Sequence, residues 1–260
     1  MRRVLAAFRS RRTANEETKS ACSEFVLRQT VRGETKSVCC ERKAVTSPRT
    51  PDARRRKIMK VERLNKAELL RLKPAQALAV EGWPDEFAVI GNQQLLTKMK
   101  TAVLGSRQCP GTVILRLYEL AQRLRERELT FIGGFHTPAE RDFLHYLLAG
   151  SCQLIVCPAR SLTGMRLSAD WQKAIAAERM LLLSPFTAVG QTRQSARFAE
   201  RRNDFVLSLA EQILLLHAAP GSRTEAAVTS AQQQGKPCLT LENDDETIAQ
   251  HLTLKLPTHP

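Results

Sequence analysis

The stretch Thr101-Ala102-Val103-Leu104-Gly105-Ser106-Arg107-Gln108-Cys109-Pro110-Gly111 decides how this chain folds. A short run that is apolar on both faces stops at a glycine, and a polar loop then leads to Pro-Gly and a helical pattern. Central strands of parallel sheets read this way, because helices cover both of their faces. Working outward, similar runs recur at residues 129–132, 153–157, 180–183, 213–217 and 237–241. Helical patterns lie between them. Residues 112–127 place Val113, Leu117, Leu120 and Leu124 on one face, and residues 138–149 do the same with Ala139, Phe143, Tyr146 and Leu147. Further patterns run over 168–178, 195–210, 223–234 and 244–251. About six strands alternating with helices predict a doubly wound, mainly parallel α/β sheet over residues 101–260, with helices on both faces.

Residues 59–100 read as an adjunct to that sheet. Asn65 can cap a helix from Lys66, with Lys73-Pro74 ending it, and Trp83 to Asn92 reads as a turn and a short edge strand. Residues 1–58 read as a basic, disordered extension. Of the net charge of +14 over 260 residues, residues 1–60 carry +11 and the remainder +3. That extension is an upstream segment before Met59, a passive tail or a nucleic-acid-binding arm. Glu16, Glu17 and Glu24 argue against a transit peptide, and no apolar segment suits secretion. No run of 18 apolar residues exists, so no membrane helix is expected. The compartment expected is the cytoplasm. The seven cysteines lack Cys-x-x-Cys pairs, so neither a zinc site nor a disulfide scaffold is expected. Cys157 and Cys238 read as core residues.

In a doubly wound sheet, ligands bind beyond the carboxyl ends of the strands. The first exit carries Gly105, Ser106 and Arg107. Glycine permits close approach, serine donates a hydrogen bond, and arginine grips a phosphate bidentately. The helix after it offers free amides to an anion. Without Gly-x-Gly-x-x-Gly the pattern implies no dinucleotide cofactor, and no cofactor is expected. The second exit is Gly133-Gly134-Phe135-His136-Thr137-Pro138, where Thr137 can cap a helix and His136 is either functional or a loop residue. The fifth exit, Pro220-Gly221-Ser222-Arg223-Thr224-Glu225, repeats the glycine, hydroxyl and arginine recipe. Upstream of it, Arg193, Arg197 and Arg201 share a helical face beside Phe198. That face is either a single-strand platform of phosphate contacts and stacking, or a solvated face with Phe198 packed inward.

The ordered series resembles the DNA-processing protein DprA/Smf family across about residues 80–242. It runs from Phe87-Ala88-Val89-Ile90-Gly91-Asn92 through Leu95-Leu96 to Gly105-Ser106-Arg107, then to Arg202-Asn203, Gly221-Ser222 and Gly235-Lys236-Pro237. The resemblance implies a Rossmann-like fold and binding of single-stranded DNA or a nucleotide without covalent chemistry. It further implies RecA as a partner, in DNA uptake or recombination, and leaves a homodimer open. Phosphate contacts fall on Gly105, Ser106, Arg107, Arg202, Asn203, Gly221 and Ser222. Gly133, Gly134, Arg197, Arg223 and Thr224 join them from the reading of the exits. The family's Gly-Leu-Ala-Arg-Gly-Ile-Asp is replaced here by Gly134-Phe135-His136-Thr137-Pro138-Ala139-Glu140, and Asp204 stands where a second arginine is usual.

Two other readings stay open. Pro220-Gly221-x-x-Thr224-Glu225 is similar to the loop of the LOG phosphoribohydrolases, which cleave a nucleoside monophosphate at its N-glycosidic bond. Arg202 and Glu225 would then be catalytic, the carboxylate stabilising an oxocarbenium-like transition state. The last reading is a nucleotide-sensing Rossmann-like protein without catalysis.

Overall fold

Eight strands build one sheet in the computed structural model, which describes residues 60–72, 83–187 and 195–241, with positions 248 and 252. Every described residue falls in one unit, Arg55–Pro260. The expectations for residues 1–58, for Lys73-Pro74, for Arg193 and for a helix over 244–251 lie outside the described residues, apart from Ile248 in the last.

The elements in chain order are β1 (Glu62–Asn65), α1 (Lys66–Leu72), β2 (Glu86–Gly91), a 3-10 helix (Gln93–Thr97), β3 (Lys100–Gly105), α2 (Gly111–Leu124), β4 (Thr130–Gly133) and α3 (Pro138–Leu148). They continue as β5 (Gln153–Val156), α4 (Ala169–Ala176), β6 (Met180–Ser184), α5 (Ala196–Leu209), β7 (Gln212–His217), α6 (Arg223–Gln233) and β8 (Cys238–Thr240). All six expected strands form, and they are parallel to one another. The count rises to eight because β1 and β2 extend the same sheet, in the order β1-β2-β6-β5-β4-β3-β7-β8. β2 therefore corrects the edge-strand expectation: it lies inside, antiparallel to both β1 and β6. Gly91 permits this, with φ of +107° where an added Cβ would sit 2.2 Å from the Met180 carbonyl oxygen.

Strand side chains alternate between two apolar layers. On one side Val103, Phe131 and Leu214 meet Leu117, Leu120 and Leu124 of α2 and Phe143 and Leu147 of α3. On the other, Ala102, Leu104 and Ile132 meet Phe205 and Val206 of α5 and Val228 of α6. The Phe131 ring stands edge-on to Phe143 at 5.7 Å, and Phe87 stacks on Phe205 at 5.3 Å. Cys157 is fully buried, as expected, and that burial pushes its thiol up to about 12. Cys238 is half-buried on β8.

At the start of β3, Lys100 is fully buried. Its ammonium donates to the carbonyls of Leu96 (3.1 Å) and Lys98 (2.7 Å) and lies 3.2 Å from Glu211 Oε1. Desolvation holds it below the ordinary lysine value, opposed by the Glu211 charge. The unfolded chain thus binds this proton more tightly, and stability rises with pH through the interval below the ordinary value. We expect the wild type to gain stability relative to Lys100→Met between about pH 8 and about pH 10. Urea unfolding at both pH values checks this, and a pH-independent difference would refute it.

Candidate nucleic-acid interface

Chain order reverses at β3. From it the sheet runs through β4, β5 and β6 on one side and through β7 and β8 on the other. Crevices for ligands open beyond the carboxyl ends of the strands at such a switch point. The exits of β3, β4 and β7 therefore gather the expected glycines and Ser106, Arg107 and Ser222 at one edge.

Ser106 ties two of these exits together. It is buried, its N–H donates to the His217 carbonyl (2.9 Å), its Oγ accepts from Ala219 N–H (3.0 Å), and its hydroxyl donates to Ser222 Oγ (3.2 Å). Its groups are thus spent on the protein, which differs from the expected phosphate contact. Arg107 beside it is exposed.

Glu140 ties the β3 exit to the β4 exit, and reasoning from sequence passed over it. Its carboxylate is 3% exposed, yet it accepts from Gly105 N–H (2.9 Å), His136 N–H (2.8 Å) and Thr137 N–H (3.2 Å). Thr137 Oγ1 accepts from Glu140 N–H in return, completing a capping box with Pro138 at the first helical position. The Thr-x-x-Glu spacing after the paired glycines carried that signal.

Arg202 lies beneath this loop at 4% exposure. An added Cβ at Gly134 would stand 1.3 Å from its Nη1, so the guanidinium packs directly against the glycine. Nε donates to Asn203 Oδ1 (2.8 Å) and Nη1 to the Cys157 carbonyl (3.4 Å). Burial lowers the pKa of Arg202, while the field of Glu140 raises it. Arg202 and Asn203 therefore brace the loop from below, where the expectation had them meeting a phosphate. Gly133 is also tight, 3.1 Å from the Val103 carbonyl oxygen for an added Cβ. Phe135 takes φ of 46°, a left-handed conformation rare for an aromatic residue, and buries its ring as the chain turns towards α3.

The helix starts differ in what they offer an anion. α3 begins with Thr137 as cap and the Glu140 carboxylate accepting from the His136 and Thr137 N–H groups just ahead of it, and α6 with Ser222 as cap and Glu225 accepting from Gly221 N–H (2.6 Å). Those starts already hold carboxylates. α2 begins at Pro110 with no side-chain cap, and Gly111 and Thr112 are exposed there. Only this start, next to Arg107, combines an uncapped helix with an exposed arginine among the described exits.

Other expected residues sit farther out. Arg223 pairs with Glu200 on α5 (2.8 Å), and Thr224 is half-buried. Arg197 is exposed on α5, but Phe198 packs against Phe186 at 5.0 Å, so the aromatic is not displayed as a platform. Arg202 and Glu225, the alternative catalytic pair, bind different loops. His136 is exposed; its pKa is lowered by desolvation and then by the Arg202 charge, opposed by Glu140, with smaller lowering contributions from Arg141 and Arg107. Among the described residues no cluster of His, Cys, Asp or Glu could hold a metal. No described helix is long and apolar enough to cross a membrane.

Fold and switch-point geometry define a Rossmann-like α/β protein whose strand exits converge on one edge. The family profile of DNA recombination-mediator protein A matches residues 73–256, and the chain belongs to that family. It is similar to DNA processing protein A from Helicobacter pylori, whose structure concerns its single-stranded DNA binding mode. The identity is 18% and the TM-score 0.55, covering 74% of this chain and 87% of that one. It is likewise similar to DNA processing protein A (DprA) from Streptococcus pneumoniae, at 16% identity and a TM-score of 0.57, covering 77% and 76%. Comparison with curated proteins gives no match.

Proposed function

We propose that this protein binds single-stranded DNA along the carboxyl edge of its sheet, without covalent chemistry. The observation that carries the reading is the exposed Arg107 beside the one helix start left without a carboxylate or cap, in a chain of this family. Arg107 supplies a bidentate phosphate grip, and the first amides of α2 supply donors to the same anion. Gly105, Ser106, Gly133, Gly134, Arg202, Asn203, Gly221 and Ser222 hold the exits in place around it. Arg197, Arg223 and Thr224 lie towards the flank and serve the strand's continuation. In this reading the strand is on its way through recombination or DNA uptake. RecA and a second copy of the chain are then the partners to assay first, and the cytoplasm is the compartment.

Binding by phosphate contact is tested by salt. Arg107→Ala should bind a labelled oligo-deoxythymidylate roughly tenfold more weakly at low salt, whatever the sequence, and flatten the log–log salt slope by about 0.7. Fluorescence anisotropy across a salt series measures both. An unchanged slope would remove Arg107 from the interface.

A further inference from the structure

One cavity remains unused by the phosphate grip. It lies beyond the carboxyl ends of β4 and β5, between α3 and the start of α4, with a volume of about 410 Å³. Small-molecule sites occupy roughly 300–1,000 Å³ and combine apolar walls with a few convergent polar groups. This one follows that pattern. Leu144, Leu148 and Trp171 supply apolar wall, while His136, Arg141 and Asp170 supply the polar groups. The Trp171 indole is half-buried, anchored by its own backbone N–H donating to Ser168 Oγ (3.3 Å).

The lining selects a ligand class. A bare phosphate would suit Arg141 but leave the apolar wall wet. A purely apolar ligand would leave Arg141 facing it without a polar partner and cover the Asp170 carboxylate, which stands 3.9 Å from Lys173. A flat heteroaromatic ring with polar edges and an attached anion satisfies both, because it stacks on an indole and presents donors and acceptors to the rim. The cavity is also placed for such a ligand. β4 and β5, over whose ends it opens, are the next two strands after β3, so their exits lie one and two strand spacings (about 5 and 10 Å) across the sheet from the β3 exit. His136, a wall of the cavity, also feels the charges of Arg107 and Arg141.

We infer that this cavity is a nucleobase subsite, which takes one base while the attached phosphate rests at Arg107 and Arg141. The inference rests on the binding reading above for its strand-bound form. A free mononucleotide offers the same chemistry, so the two sources need separate arms.

The test uses the full chain carrying Trp83→Phe, which leaves Trp171 as the only tryptophan. Its fluorescence is followed on adding dAMP, an end-labelled oligo-deoxyadenylate, and an abasic strand of equal length, with label anisotropy reporting binding independently. Oligo-deoxyadenylate should quench Trp171, and the abasic strand should bind without quenching. Trp171→Ala should weaken oligo-deoxyadenylate about tenfold and the abasic strand by less than about twofold, with Trp171→Phe close to wild type. Saturating anisotropy without quenching by the intact strand overturns the inference, as does equal weakening of both strands by Trp171→Ala. If no strand binds but dAMP quenches, the DNA reading fails and the subsite stands as a free-nucleotide site. If neither the intact strand nor dAMP quenches, the subsite is refuted, whatever the abasic strand does.

Discussion

Gly134→Ala should destabilise the protein about as much as Arg202→Ala, by about 3–5 kcal/mol each, and combining the two should cost little more than either alone. The added methyl would stand 1.3 Å from Arg202 Nη1 and 1.9 Å from Cζ, so the guanidinium must leave. Leaving is expensive, because the side chain is 4% exposed and bonded to Asn203 and the Cys157 carbonyl. The buried Glu140 acts on it only through its field, and stripping a buried charge of its partners costs about 3–5 kcal/mol. Both single variants therefore delete the same interaction, and effects of residues acting as one unit do not add. For a domain of this size the melting temperature should fall by roughly 6–20 °C in each. Thermal unfolding of the three variants decides the matter: strictly additive losses would mean that the Gly134–Arg202 contact is not the cause.

Glu140→Ala should cost about 3–5 kcal/mol as well, for a different reason. Its two oxygens serve two loops, Oε1 accepting from Gly105 and Oε2 from His136 and Thr137. Each buried donor left without a partner costs about 1–3 kcal/mol, and the charge facing Arg202 is lost too. Glu140→Gln keeps one carbonyl oxygen, enough for one exit but not both, so it should recover roughly half of the loss. Hydrogen exchange reads the local consequence. The amides of Gly105, His136 and Thr137 should lose protection together in the alanine variant, while the glutamine variant should keep either Gly105 or the other two. Retention of all three in Glu140→Ala would show that the carboxylate does not clamp the exits.

The parallel part of the fold was legible because burial on both faces leaves a mark in sequence. Residues 101–104 and 180–183 have no polar side to show, and Asn65 and Thr137 announce their helices by capping chemistry. β1 left almost no mark. In Glu62-Arg63-Leu64-Asn65 only Leu64 is buried, and pairing with β2, distant in sequence, makes it a strand. The resemblance gave Arg202 a phosphate to contact, whereas the structure packs its guanidinium against Gly134. An arginine reads as a surface cation until the fold places a glycine and a carboxylate around it. The Thr-x-x-Glu spacing allowed Glu140 as a capping residue but could not show its bond to Gly105, and the Trp171 cavity left no mark because its walls come from α3, α4 and two strand exits that no local pattern joins.

Both borders of the sheet are poor templates for joining another sheet. At one end stands β1, four residues long, with Glu62, Arg63 and Asn65 exposed and Arg63 paired to Glu86. At the other stands β8, only three residues. Borders this short, the first of them also carrying Glu62 and Arg63, do not recruit a neighbour by main-chain pairing, which protects the sheet from edge-to-edge association. Contacts between the described part of this sheet and another chain therefore fall to side chains rather than to main-chain pairing at its borders.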